Sequence, residues 1–345
     1  MADGTATMAW LTRRDGSVII GHGPFTGSAE PPADGVAFHV QDFALRSELP
    51  WKIPSTHERL PFGQLAERFP AEPQTDFEWR IPDAAPFSVV FQEVMSSIRS
   101  GVFEKTVPVV TETGFSAVCP GASVAAAMCR QPPPLLSYGW IDGNHGFAGA
   151  TPELLLSVED HHLETMALAG TARSEDRDAF GVDEKEIREH EYVAQTLVSK
   201  LLDLGTLKRH PREILHLGSI VHFLTRIEVE LCGTMSPDEL IRRLHPTPAL
   251  GPLPRTDVTL SKLLEWRQRL GCPDAFGSPF GVWENGRFCC VVAIRGVWWS
   301  GQEVQVPSGC GVIEASRLVN EWRELRLKRE AVKNCLSFPG CGRPR

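Results

Sequence analysis

Apolar residues along the chain follow two rhythms, which set a weakly patterned first quarter apart from a strongly patterned remainder. From Phe87, the run FSVVFQEVMSSIRSG has apolar residues at helical spacing and ends at Gly101, a natural helix stop. DEKEIREHEYVAQTLVSKLLDLG repeats that rhythm, with Ile187, Tyr192, Val193, Leu197 and Leu201 on one face. VNEWRELRLKREAVKNCL predicts a last helix. Between them, VFEKTVPVV is rich in β-branched residues and reads as a strand. GFAGATPELLLSVED and HHLETMALAGTAR read as a strand pair ending in turn chemistry, and SIVHFLTRIEVEL, FCCVVAIRGVWW and VQVPSGCGVI add further strands. Residues 1–85 mix VIIGHG with the Pro- and Ala-rich AEPPADG and the loop-like LPWKIPSTHERLPFG, a reading of irregular strands and loops that complete the fold.

No repeat of 20–50 residues and no long linker interrupts this pattern. Long strand stretches alternating with a few long helices predict an α+β (layered α/β) fold in one large unit. The 345 residues leave one or two domains open on length alone. Lys and Arg number 35 against 43 Asp and Glu, a net charge of −8 that argues against a nucleic-acid or anionic-membrane surface but leaves a small anionic substrate open. No apolar run has the length of a membrane span, and MADGTATMAW has no basic stretch followed by an apolar one, so a cytoplasmic enzyme is expected. Nine cysteines at irregular spacing, without CxxC pairs, read as reduced and structural. Cys310, between two glycines, reads as a small residue filling a tight turn.

The chemistry begins with acidic residues three apart on two predicted helices. Glu186 and Glu189 in KEIREHE, and Glu321 and Glu324 in NEWRE, each share a helical face. Two such faces offer hard oxygen ligands to a Mg²⁺ ion. The spacing describes two solvated faces equally well.

The order of motifs separates these readings. FSVVFQEVMSSIRSGVFEKTVPVV, GATPELLL, LAGTAR, KEIREHEYV, VHFLT, LHPTPAL, FGSPFGVW, VVAIR, SGCGVIEAS and EWREL resemble, in sequence, the motifs of the chorismate-utilising enzymes over residues 87–338. The resemblance implies a single chorismate-binding catalytic domain over 86–338, with two antiparallel-rich sheets packed together and flanking helices, followed by a tail at 339–345. It implies Mg²⁺ as cofactor, held by Glu186, Glu189, Glu321 and Glu324. It also implies chorismate as the small-molecule partner, and a monomer.

Within that family, Lys105 of EKTVPVV matches the lysine used as a general base by the isochorismate and salicylate branches, where the ammonia-using branch carries glutamine. Water is then the nucleophile, and no glutaminase subunit is expected. Ala169 of LAGTAR stands where one type of aminodeoxychorismate synthase has a lysine that attacks the ring. Thr247, Pro248 and Ala249 resemble the isochorismate synthases, whose product feeds menaquinone or catechol-siderophore synthesis. Glu153 of TPELLL matches the general acid. By the same resemblance Gly170 and Thr171 offer backbone donors to the ring carboxylate. Arg295, the Gly309–Gly311 turn and Lys328 take the enolpyruvyl carboxylate, and His222, Ala249 and Phe276 line the pocket. Outside that context, Lys105 reads as a strand-end side chain and Glu153 as a turn cap, and His222 suits a hydrogen-bonded core histidine as well as a contact; His245 reads as structural. Two departures stand out: Val109 and Val110 follow Pro108 where a small residue and arginine are usual, and Pro252 stiffens a loop that usually has glycine. A salicylate synthase and a non-catalytic chorismate-binding relative are the competing readings.

Overall fold

The computed structural model describes residues 7–69 and 75–336; the tail at 339–345, Cys341 and the last two residues of the 86–338 range lie outside the described residues. Seventeen described strands form one hydrogen-bonded network, and two more form a small separate sheet. Its pairings, all antiparallel, trace a single ribbon. One end is Glu78–Arg80, which pairs with Val109–Phe115, and the ribbon continues through Glu303–Gly309, Gly296–Ser300, His145–Thr151 and Leu136–Asp142. The other end is Ile220–Leu231, flanked by Gly205–Arg209 and Glu213–Leu217, and it runs back through His162–Arg173, Leu154–Glu159, Arg287–Val292 and Pro279–Glu284.

N-terminal strands join these halves. Thr7–Thr12 pairs with Leu136–Asp142 and Ser17–Ser28, which passes to Trp51–Pro61, then to Val36–Val40, and so to Pro279–Glu284. The halves bury their apolar side chains in one shared core. Phe147 meets Phe280 edge-on at 5.5 Å, and Phe276 meets Trp298 at the same separation. The α+β class and antiparallel layers read from the sequence hold, and hydrogen bonds make the layers one continuous network.

The segment read as loop-like, LPWKIPSTHERLPFG, is largely the strand Trp51–Pro61. Two prolines hid it. Only Trp51 and Lys52 have partners on both sides, so Pro54 sits where the strand has become an edge, opposite a register shift between His22 and Phe25. Strands read as continuous are broken where the chemistry lies: VFEKTVPVV at Val107–Pro108, GATPELLL at Pro152–Glu153, and VVAIRGVWW at Ala293–Arg295.

Helix Glu184–Leu201, capped by Asp183, packs on strand His162–Arg173, burying Val193, Leu197 and Leu201. Helix Leu318–Leu336 packs on strand Glu303–Gly309. The small sheet pairs Lys105–Thr106 with Val312–Ile313. Eight described cysteines are free, and Cys310 fills a core cluster with Phe103, Trp266 and Leu325. Among the described residues no helix is long and apolar enough to cross a membrane.

Candidate active site

A cavity opens between the ribbon's halves, with walls built from strand interruptions. Glu153, Gly170, Thr171, Glu189, His222, Ala249, Phe276, Arg295, Gly309, Gly311 and Lys328 all border it. An adjoining outer cavity shares Thr171 and carries Glu186, Glu321 and Glu324.

Glu153 follows the Pro152 break, and its backbone carbonyl accepts from Val292 N. Burial pushes its carboxyl up to about 7, despite the opposing charges of Lys105, Lys328 and Arg295. Lys105 is fully buried and lies just behind the cavity wall. Its Nζ donates to the Pro248 carbonyl and sits 3.5 Å from Glu189 Oε1. Desolvation lowers its pKa, reinforced by Lys185 and Lys328 and opposed by Glu189. Main-chain bonds to Leu253 fix the lysine's strand, so the Pro252 loop braces this residue. Val109 and Val110 turn into the core, taking no part in the cavity lining.

Three carboxyls from two helices converge on one ammonium, and the fourth, Glu324, pairs with Lys328. Lys185 Nζ lies 2.8 Å from Glu186 Oε1, 3.1 Å from Glu189 Oε2 and 3.4 Å from Glu321 Oε1. Burial raises the Glu189 carboxyl, but the three lysines outweigh it and hold it at about 2. Burial and like charge raise Glu186 to about 7 and Glu321 to about 8, against the pull of Lys185. Glu321 Oε2 is buried without a partner. Among the described residues no three acidic, histidine or cysteine side chains stand in metal-holding geometry, and Lys185 lies between three of the carboxyls. The donor set itself suits a hard divalent cation: four carboxyls close together and one orphaned buried oxygen. Gly311 permits this packing, since a Cβ there would fall 1.9 Å from Glu189 Oε1.

Arg295 has a left-handed backbone, φ +56°, which turns its side chain into the cavity at the end of a broken strand. Its Nη2 donates to His222 Nε2 at 2.7 Å, so that nitrogen is the acceptor and His222 is neutral. His222 Nδ1–H then donates to the Gly170 carbonyl at 2.7 Å. Burial, then the charges of Arg295 and Lys328, put the His222 pKa well below its usual value. Arg295 is lowered only to about 10 by burial and stays charged. Lys328 bridges Glu324 at 2.6 Å and the Gly309 carbonyl at 2.8 Å.

A family model described as chorismate binding enzyme matches residues 51–337. The chain belongs to the chorismate-binding enzyme family. Similar proteins include isochorismate synthase MenF of Haemophilus influenzae, 27% identical over 55% of this chain and 46% of that one. Isochorismate synthase EntC of Escherichia coli is 27% identical over 78% of this chain and 69% of its own. The chain spans about half the length of the first of these relatives. The solved menaquinone-specific isochorismate synthase MenF from Escherichia coli superposes with a TM-score of 0.82 at 20% identity, covering 96% of this chain and 89% of that one, and so supports the fold.

For a chorismate-binding enzyme, the residues picked out in the sequence fall together well, with two adjustments. The Thr171 amide, assigned to the substrate's ring carboxylate, donates instead to Glu186 Oε2 at 2.9 Å. Lys105 is one side chain removed from the cavity surface. Lys185 was overlooked in the sequence, although its i, i+4 spacing from Glu189 places it on the acidic face. His245 is structural: its Nε2 pairs with the Phe43 carbonyl at 2.8 Å.

Proposed function

We propose that this chorismate-binding enzyme is an isochorismate synthase, an isomerase that moves a hydroxyl from C4 to C2 of chorismate by addition of water. One observation carries this reading: Lys105 and Glu153 are both buried at one site, the lysine shifted down and the carboxyl shifted up. These shifts move the two groups toward each other, the direction that a neutral base beside a protonated acid requires. The names of the similar proteins point the same way.

Lys105 takes a proton from water as the oxygen bonds to C2. Glu153 gives a proton to the hydroxyl leaving C4, the ring double bonds shift, and water departs. Atoms and charge balance, and both side chains reset by proton exchange. Arg295, held by His222, presents a planar fork to the enolpyruvyl carboxylate, and Lys328 adds a second cation. Phe276 and Ala249 give the ring an apolar bed. Glu186, Glu189, Glu321 and Glu324 would hold magnesium, which when bound supplies positive charge that anchors the ring carboxylate and competes with Lys105 for Glu189. We place the protein in the cytoplasm as a monomer without a glutaminase subunit, its product feeding menaquinone or catechol-siderophore synthesis.

The test is incubation of the purified protein with chorismate and Mg²⁺, with an EDTA control, and product identification by chromatography and mass. Isochorismate in equilibrium with chorismate is the expected result. Salicylate with pyruvate would transfer the enzyme to the neighbouring branch, and an ammonium-dependent product would overturn water as nucleophile.

A further inference from the structure

Arg295 also borders a groove of about 230 Å³ that shares no other residue with the main cavity. Its walls are mostly apolar: Met128, Pro132, Leu135, Leu217 and Val332, with Ala150 below them. The polar groups present are largely occupied. The Gln131 amide donates to the Ala127 carbonyl, and its oxygen accepts from the Cys335 thiol. No Asp or Glu lines the groove.

Arg295 gives one N–H to His222, and its remaining guanidinium donors have no hydrogen-bond or ion-pair partner among the described residues. The acids whose charge supports Arg295, Glu324 and Glu153, line the neighbouring cavities and not the groove. A charged guanidinium beside apolar walls that carry no acid complements one chemistry, a carboxylate on a flat apolar body. We propose that the groove is a second ligand site, taking a small aromatic carboxylate with its carboxylate on Arg295 and its ring against Leu135, Leu217 and Val332.

The site stands on this geometry; its effect on turnover rests on the function proposed above. One guanidinium serves both spaces, so a carboxylate in the groove competes with the substrate's carboxylate. The ligand raises KM for chorismate and leaves kcat unchanged. The two sites are then negatively coupled, each ligand weakening the other by the same factor.

Benzoate is the probe, titrated into the full chain by calorimetry without substrate, then added to chorismate turnover assays. Saturable binding is expected, weakened about tenfold by Ala331→Trp, which fills the groove, and by at least about threefold in Ser219→Glu, which puts a like charge at its exposed turn. Both variants should lose benzoate inhibition while chorismate KM stays within about twofold of wild type. Absence of benzoate binding would overturn the proposal. So would binding and inhibition that persist in both variants, because the probe would then occupy the main cavity. Binding seen only after the chain is ended at Leu336 would also overturn it, by making the chain's own last residues the occupant. Groove-dependent benzoate binding in a protein that does not turn over chorismate would instead defeat the isochorismate synthase reading and leave the site standing.

Discussion

Helix Leu318–Leu336 carries two buried charge networks that obey opposite rules. Towards its C-terminus, Arg329 Nε lies 3.2 Å from Glu112 Oε2, Lys333 pairs with Glu112 Oε1, and Arg329 Nη1 donates to Ser308 Oγ at 3.0 Å. Both Glu112 oxygens have cationic partners, and the network binds the helix to strand Val109–Phe115. Towards the N-terminus, Glu321 joins Glu186 and Glu189 around Lys185, with the Glu186 and Glu321 carboxyls pushed up, Glu189 held down and one Glu321 oxygen orphaned. Charge that holds a fold together is paired within the chain. At the cavity end the pairing is incomplete, with one carboxylate oxygen buried without a partner.

The sharpest break in this comparison is Lys105→Ala. Turnover of chorismate should fall about 10²–10⁴-fold while chorismate binding stays measurable by calorimetry. Full activity would strip Lys105 of its role. Next, Arg329→Met leaves Glu112 short of a buried partner and should cost about 3–5 kcal/mol, read from urea unfolding, with activity per folded molecule retained. An unchanged urea midpoint would erase the distinction between the networks.

Glu321→Gln should have a smaller and opposite effect on stability. Its folded pKa of about 8 lies above the unfolded value, so the carboxyl costs nothing at acid pH, and its cost grows as pH rises and is complete above about 8. In EDTA the variant should therefore melt higher than wild type at pH 9 and match it near pH 4. Its Mg²⁺ response should be lost. A variant that melts lower at pH 9 would mean the carboxyl is already compensated. The mildest effect is on the pH–rate profile. kcat/KM should decline as pH rises through about 7, where Glu153 loses its proton, and Glu153→Gln, already slow, should lack that alkaline limb.

Helices and acidic pairs were legible in the sequence because a 3.6-residue rhythm and an i, i+3 spacing are local. Glu189 and Glu321 could be set side by side only through the family's motif order, since no local signal says that two helices far apart in sequence meet. Lys185 was open to inspection on Glu189's own helical face. What it does there was not, since one lysine among carboxylates reads as a surface ion pair until burial is known. The strand Trp51–Pro61 stayed hidden because proline argues against a strand unless an edge is known to lie there. The groove beside Arg295 joins residues from five separated segments, and no spacing announces it.

The N-terminal strands bear on how the chain is made. Thr7–Thr12 waits for Leu136–Asp142, and Val36–Val40 waits for Pro279–Glu284. During synthesis the Thr7–Thr12 edge therefore stays open until residue 142 has emerged, and the Val36–Val40 edge until most of the chain has. An apolar edge such as Val36–Val40, buried when folded, is a template for stray pairing over that interval. Yield from a fast expression system should thus be limited by nascent chains meeting one another, and slower translation or a holding chaperone should help more than any change to the finished fold.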